Sequence, residues 1–486
     1  MKKKGSSYIY LALCLLLCIL PFAGMAVYGT DETTENRTLA KLPSAEKDGS
    51  LNTDYFEELG AYFEDHFSFR KELVTMDALI QSRVFSVSNV DTVMKGTDGW
   101  LYYTDTLDDY LGTNLMNRRQ VFNVANNLSL LQQYVTGQGA AFLFTVAPNK
   151  NSLYGEHMPY YAGSCLSEEK NIDLLEPELA RLGVSYADLF SAFWQTDEVL
   201  YLKRDSHWNA KGALLAYNTM FDALSMEHET YEAAEAVREK KEIGDLNRML
   251  YPLAAEPEWN YYYQNESHWN YTSEPQDVEA AWIQTECTEG EGSLLMFRDS
   301  FGNTLLPLMA ERFEKSAFSK GTPYLIGRYM QECAPDLVLA EKVERNLDEF
   351  MTMPPVMQGP AADLDTSAGA IFGSGEADAG RIASDIRLDM AMEDADYVVL
   401  SGELSGLEED ARIFVRLHDE NGKADAAYEA FTVSTERSDY GFMLYLKKET
   451  MSGLTAGGTI TVDVLAGKEG ALYMAGTTEL DVQVQP

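Results

Sequence analysis

The run Ala141-Phe142-Leu143-Phe144-Thr145-Val146-Ala147 is too short for a core helix, and its side chains do not alternate as those of a half-exposed strand would. It reads as a strand buried on both faces, which requires helices to cover it. The chain supplies them. A helical pattern over 117–134 precedes the run, and a second over 167–182 leads into a strand at 184–187. A third, over 210–224, follows Asn209, a residue suited to capping. Further strand-like runs lie at 199–202, 293–297, 323–326 and 336–340, with a helix expected over 301–314. This alternation predicts an α/β fold with a parallel sheet flanked by helices, in which a site belongs at the carboxyl ends of the strands. Before it, Thr97-Asp98-Gly99 between two apolar arms predicts a β-hairpin, and aromatic residues from Tyr55 to Phe69 predict a helix packed on the main domain.

Two motifs fall at such strand ends. Asp205-Ser206-His207-Trp208-Asn209 sets a carboxylate and an imidazole two residues apart, ahead of a helix, and Arg298-Asp299-Ser300-Phe301-Gly302 turns from a strand into another helix with a hydroxyl at the corner. A serine there can be deprotonated by an imidazole whose other nitrogen is held by a carboxylate, while amides at the helix start face a developing oxyanion. The combination predicts acyl transfer with Asp205, His207 and Ser300 as the catalytic residues. Each motif alone is weak: Asp-x-His occurs on surfaces and in metal sites, and Asp-Ser-Phe is an ordinary helix start. A metal at Asp205 and His207 lacks further ligands nearby in sequence, so none is expected. A second copy, Glu266-Ser267-His268-Trp269-Asn270, lacks a following helical pattern. His207 is therefore preferred, with His268 either lining a substrate cleft or coincidental.

A chain of 486 residues needs more than one core. The basic start Met1-Lys2-Lys3-Lys4 and an apolar run over 8–28 predict a transmembrane anchor within residues 1–30, with a cleaved signal segment as the rival. Residues 31–50 read as a tether, 51–357 as the α/β catalytic domain and 358–381, rich in Gly, Ala, Ser and Asp, as a linker. Short alternating runs over 382–486 predict a β-sandwich. With 38 basic against 77 acidic residues and a net charge of −39, the chain has nothing with which to neutralise a nucleic acid backbone. Its five cysteines, two of them in the apolar segment, form neither a disulfide framework nor a zinc pattern, and one bridge among Cys165, Cys287 and Cys333 remains open.

Taken together, Asp205-Ser206-His207-Trp208-Asn209, Glu35-Asn36-Arg37, Phe63-Glu64-Asp65-His66-Phe67, Gly96-Thr97-Asp98-Gly99-Trp100-Leu101, Arg298-Asp299-Ser300-Phe301 and Val343-Glu344-Arg345-Asn346-Leu347 resemble the DHHW protein family. That family is similar to the periplasmic alginate O-acetyltransferases, whose catalytic domain is SGNH-hydrolase-like. The likeness covers roughly residues 35–345. It implies a membrane-tethered extracytoplasmic enzyme that moves acetyl groups onto a cell-surface or exported polysaccharide, with Ser300 as nucleophile, His207 as base and Asp205 as its orienting carboxylate. Ser206 stands where the family name has a histidine. The family's proline-and-basic segment corresponds to Pro148-Asn149-Lys150, followed by Tyr154, so Asn149 or Lys150 is expected to give an oxyanion donor or a substrate contact. Arg298, in place of a small residue, would crowd the site or bind an acidic sugar.

The resemblance further implies a membrane-bound O-acyltransferase as the acetyl-donating partner, no cofactor because the acyl group travels on Ser300, and a C-terminal module able to bind glycan. Two other readings of the same residues stay open. One is a carbohydrate esterase that passes the acyl group to water, and the other is a non-catalytic glycan-binding surface protein.

Overall fold

The computed structural model describes residues 2–25, 39–47, 50–163, 165–230, 236–263, 267–364, 384–418, 424–454, 458–468 and 471–481. The expected anchor coincides with a 24-residue helix, α1 (Lys2–Met25), many of whose side chains lie outside that description. Among the described residues no helix is long and apolar enough to cross a membrane. The transmembrane helix is thus not found in the described structure. Half of the expected tether and most of the expected linker also lie outside the described residues.

Two helices, α2 (Tyr55–His66) and α3 (Arg70–Ile80), replace the single aromatic helix expected, parted at Phe69, whose φ is 66°. Phe56 and Phe63 remain exposed, so the aromatic face is only partly packed. The hairpin forms as expected from β1 (Val93–Lys95) and β2 (Leu101–Tyr103). Its turn places both central residues in the left-handed region, Asp98 at φ 52° and Gly99 at φ 80°, as a tight hairpin turn demands.

Helix α4 (Arg118–Gly137) begins at an Asn117–Gln120 capping box and leads into β3 (Ala141–Ala147), the strand expected there. Then come α5 (Asn171–Leu182), β4 (Tyr186–Ala187) and α6 (Ala210–Ala223), the last capped by Asn209 through the Lys211 and Gly212 amides. A second hairpin, β5 (Ala236–Glu242) and β6 (Glu258–Tyr263), brackets the short helix α7 (Asp245–Leu250). It is followed by β7 (Trp269–Tyr271), β8 (Trp282–Cys287), β9 (Ser293–Phe297), α8 (Gly302–Arg312), β10 (Lys315–Ser319), α9 (Ile326–Cys333) and β11 (Leu337–Val343).

These strands make one seven-stranded sheet in the order β4-β3-β11-β9-β10-β8-β7. The first five run parallel, but β8 and β7 pair antiparallel, so the sheet is mixed where a parallel one was expected. Two expected strands shift. Residues 199–202 make only a bridge, Tyr201 to Trp208, and the strand looked for at 323–326 lies instead at Lys315–Ser319, whose Ser316 and Ser319 are buried and mask its apolar pattern. Both faces of the sheet are covered. Phe142, Phe144, Leu295, Phe297 and Val338 enter one core, while Leu143, Leu294, Met296 and Leu339 enter the other, the alternation expected of a doubly covered strand.

The C-terminal strands are β12 (Ser384–Met390), β13 (Tyr397–Glu403), β14 (Arg412–His418), β15 (Ala424–Val433), β16 (Gly441–Lys447), β17 (Thr459–Lys468) and β18 (Ala471–Asp481). In place of the expected sandwich they form a single antiparallel sheet, ordered β12-β13-β16-β15-β14-β17-β18, whose end strands approach each other to give a near-barrel. The reason lies in β15, which pairs with β14 along its first part and with β16 through Phe431–Val433, joining what would have been two sheets. Register shifts in β12, β14 and β17 add the local bend that such curling needs.

Helix α4 is held on both sides. Asn127 donates to the carbonyls of Phe350 (2.8 Å) and Thr432 (2.9 Å) and accepts from the Thr432 amide at 3.0 Å, while the buried Arg119 donates to the Ala411 carbonyl at 2.8 Å. Phe431, Val433 and Tyr445 of the C-terminal sheet share a core with β3 and α4.

Candidate active site

Strand β9 delivers the chain to Ser300, and Asp299 fixes the corner before α8 starts. Asp299 accepts from the Phe301 amide (2.8 Å) and the Val343 amide (2.7 Å), and its own amide donates to Glu341 at 3.0 Å. Ser300 is thereby tied to the neighbouring strand β11 as well as to its own helix. The loop between Tyr201 and Trp208 brings the second motif over it. Trp208 donates from its indole N–H to Thr304 Oγ1 at 2.6 Å, and its fully buried ring meets Phe301 edge to face with centroids 5.0 Å apart. Phe301 also packs against the His207 ring, 4.8 Å between centroids.

The result is a continuous relay. His207 Nε2 lies 2.8 Å from Ser300 Oγ and His207 Nδ1 lies 2.7 Å from Asp205 Oδ1. The His207 amide also donates to Asp205 Oδ1 (2.9 Å) and the Asp245 amide to Asp205 Oδ2 (2.9 Å). Burial alone would push the Asp205 carboxyl up, but His207 and these amides hold it down at about 2. For His207 burial works downward and is outweighed by Asp205 and then Asp245, so its affinity for a proton is raised. A partly exposed imidazole, backed by an ionised carboxylate and facing a hydroxyl, is equipped to take that hydroxyl's proton.

Asp245, at the start of α7, was not apparent in the sequence. It accepts from the Ser206 amide at 2.7 Å and from the Ser206 hydroxyl at 2.5 Å, and its Oδ2 lies 3.8 Å from His207 Nδ1. The approach depends on Gly244, because a Cβ there would collide with the Arg204 carbonyl. Burial, then the charge of Asp205, raises its proton affinity. Arg345 is a second group that sequence reading left out of the site. Its guanidinium sits 5.9 Å from the Phe301 ring and 5.4 Å from the Tyr103 ring, close enough to oppose protonation of His207.

Ligand atoms of Asp205, His207 and Asp245 lie within 4.8 Å of one another, as a metal site would require. Their lone pairs are already committed: Asp205 accepts three hydrogen bonds, Asp245 accepts from Ser206 and Leu246, and His207 Nδ1 faces a carboxylate and so carries its hydrogen. This donor set fits a proton relay better than a cation.

The other expected contacts are drawn into the scaffold. Asn149 is fully buried, with its amide nitrogen on Asp109 Oδ2 (2.8 Å) and its backbone N–H on Glu344 Oε2 (2.8 Å). Lys150 Nζ donates to the carbonyls of Leu202 (3.3 Å), Lys203 (3.2 Å) and Asp205 (2.5 Å), pinning the loop that carries Asp205. Its burial lowers its proton affinity to about 8. Tyr154 accepts from the Leu200 amide at 2.8 Å and stacks near Trp100. Arg298, expected to crowd the site or bind an acidic sugar, is buried and gives its guanidinium to Asn303 and to the carbonyls of Val278, Ala280 and Asp299.

His268 is separate from this relay. Its Nδ1 lies 2.6 Å from Glu311 Oε1 near the far end of α8, about 14 Å of helix rise beyond Gly302. There it lines a cleft of about 780 Å³ with Tyr261, Tyr262, Tyr263 and Trp269. Cys165, Cys287 and Cys333 are all free thiols, which closes the question of a bridge among them.

Comparison with known proteins gives a family match over residues 93–286, to the SGNH hydrolase-like domain of acetyltransferase AlgX. The matched stretch includes Asp205, His207 and Asp245 and ends before Ser300. No curated protein matches the chain. Among solved structures, Bacillus cereus PatB1 is 19% identical over 52% of this chain and 96% of its own, with a TM-score of 0.43. A DHHW family protein from Eubacterium siraeum is 16% identical over 46% and 85%, at a TM-score of 0.37. Pseudomonas aeruginosa AlgX is 13% identical over 79% and 94%, at 0.36. Over residues 93–286, then, this chain resembles the SGNH hydrolase-like domain of acetyltransferase AlgX, as its motifs led one to expect.

Proposed function

We propose that the chain is an extracytoplasmic O-acetyltransferase that transfers acetyl groups to a cell-surface or exported polysaccharide through an acyl-Ser300 intermediate. The observation that carries this reading is the unbroken contact from Asp205 through His207 to Ser300, with 2.7 Å and 2.8 Å at its two joints. In the first half-reaction Ser300 Oγ attacks the acetyl carbonyl carbon while His207 Nε2 takes the hydroxyl proton. The proton then passes to the leaving group as the carbon–oxygen bond of the donor breaks. In the second half-reaction His207 removes the proton of a sugar hydroxyl, which attacks the acetyl-serine and restores free Ser300. Asp205 keeps the imidazole in the tautomer with its lone pair toward Ser300 and stabilises the imidazolium formed in each half.

The family match supports acetyl transfer as the chemistry. A membrane anchor in residues 1–30 completes the proposal, with a membrane-bound O-acyltransferase as the donor of the acetyl group. The lysines ahead of the apolar run support it, as does the exposed apolar row Leu73, Met76 and Ile80 on α3.

The test is acetate release from a chromogenic acetyl ester by the full chain, together with mass detection of an acetylated peptide containing Ser300. Ser300→Ala and His207→Ala should each cut turnover at least about 1,000-fold, with His268→Ala near wild type. Turnover that survives Ser300→Ala would end the acyl-serine mechanism. Acetyl transfer to an added glycan, as opposed to water alone, separates a transferase from an esterase.

A further inference from the structure

In the DHHW pattern the residue after the aspartate is a histidine, and here it is Ser206. The serine is not a passive replacement. Its hydroxyl donates to Asp245 Oδ2, which leaves its oxygen lone pairs facing His207 Nδ1 at 3.2 Å. The Ser206 amide donates to the other oxygen of Asp245, and the Asp245 amide returns a bond to Asp205 Oδ2. Three residues of one loop and the first residue of α7 thus close a ring around the back of the imidazole.

We propose that Asp245, acting through the Ser206 hydroxyl, is a second positioning carboxylate for His207, so that the base of this site is held by two acids and a bridging hydroxyl. The proposal rests on the reading of His207 as the base for Ser300. Nδ1–H points at Asp205 Oδ1 with Ser206 Oγ as a second acceptor, and this fixes the ring plane more tightly than one carboxylate does. Asp245 also places a second negative charge 3.8 Å from Nδ1, favouring the imidazolium that exists when Ser300 has lost its proton.

Other charged groups act on the imidazole. Arg345, from the turn after β11, opposes its protonation, and Glu279 faces it from the loop before β8. Lys150 and Glu258 interact with the carboxylates behind it. None of these bonds to Ser206, so an effect passed through that hydroxyl belongs to Asp245.

The experiment is a pH titration of the His207 ring by NMR in the full chain, which has only six histidines to assign, combined with kcat/KM against pH for the acetyl ester. Asp245→Asn should lower the His207 midpoint by about one pH unit, move the acid limb of kcat/KM by the same amount and reduce its plateau about tenfold. Ser206→Ala removes the bridge but keeps the charge. It should lower the plateau by about three- to tenfold while moving the midpoint less than half as far. Asp245→Glu should recover part of the midpoint shift. A His207 midpoint in Asp245→Asn within about 0.2 unit of wild type overturns the proposal, and so does a Ser206→Ala profile that superimposes on wild type. Ser206→Ala removes one partly buried hydroxyl and serves if the Asp245 variants fail to fold. Failure of the acyl-serine reading is a separate result: activity would persist in Ser300→Ala, while the NMR titration would still report on Asp245.

Discussion

His207 and Ser300 stand 93 residues apart in the chain and 2.8 Å apart in space. Their contact depends on the indole of Trp208 reaching Thr304, in the first turn of the helix that Ser300 introduces.

His207 must be neutral to accept the Ser300 proton, and its two carboxylate neighbours raise its proton affinity above that of an ordinary histidine. Activity should therefore rise with pH along a single limb whose midpoint lies above about 6.5. A kcat/KM profile flat from pH 5 to 8 would contradict this.

Lys150 gives a second test, because it is buried and binds three loop carbonyls. Lys150→Met should lower kcat about 10- to 100-fold with KM for a small ester little changed. A rise in KM with kcat preserved would mark Lys150 as a substrate contact after all.

Glu344 is buried, and burial followed by the charge of Asp109 raises its carboxyl to about 7. Its folded value lies above its unfolded value, so its favourable contribution is complete below about pH 4.3 and is lost as pH rises through 7. Glu344→Gln should remove that slope. Between pH 4.5 and 8 the variant should lose about 2–3 kcal/mol less stability than wild type in denaturant titrations. Parallel curves for the two proteins would refute the assignment.

Removal of the Asn127 side chain leaves the Phe350 carbonyl and both backbone groups of Thr432 without partners. Asn127→Ala should cost about 2–4 kcal/mol, and calorimetry should still show one transition, at lower temperature. Two resolved transitions would mean that the α/β unit and the C-terminal sheet unfold separately.

What could be read from the sequence follows its physics. Ala141–Ala147 and Ser293–Phe297 are apolar throughout most of their length, and both are central strands. Asn209 announced a helix because capping is a local act. Lys315–Ser319 was hidden because its buried serines imitate an exposed strand, and the antiparallel edge because pairing direction leaves no mark in a single strand's composition. In the site, Asp205, His207 and Ser300 lay in motifs at strand and helix ends. Asp245 had no such signal, since its place depends on Gly244 letting one backbone touch another 40 residues away. Asn149, Lys150 and Tyr154 were expected near substrate, and Arg298 to crowd the site or bind a sugar, because the family resemblance implied it. Here their donors and acceptors are taken by neighbouring backbone and side chains, a fate that only the folded partners reveal.

Helix α4 lies between the sheet that carries Ser300 and the C-terminal near-barrel, with polar side chains bonded into the latter. The joint is a mortise and not a leash. Swinging the near-barrel would tear those bonds from a dry interior, so its offset from Ser300 is set by the fold itself.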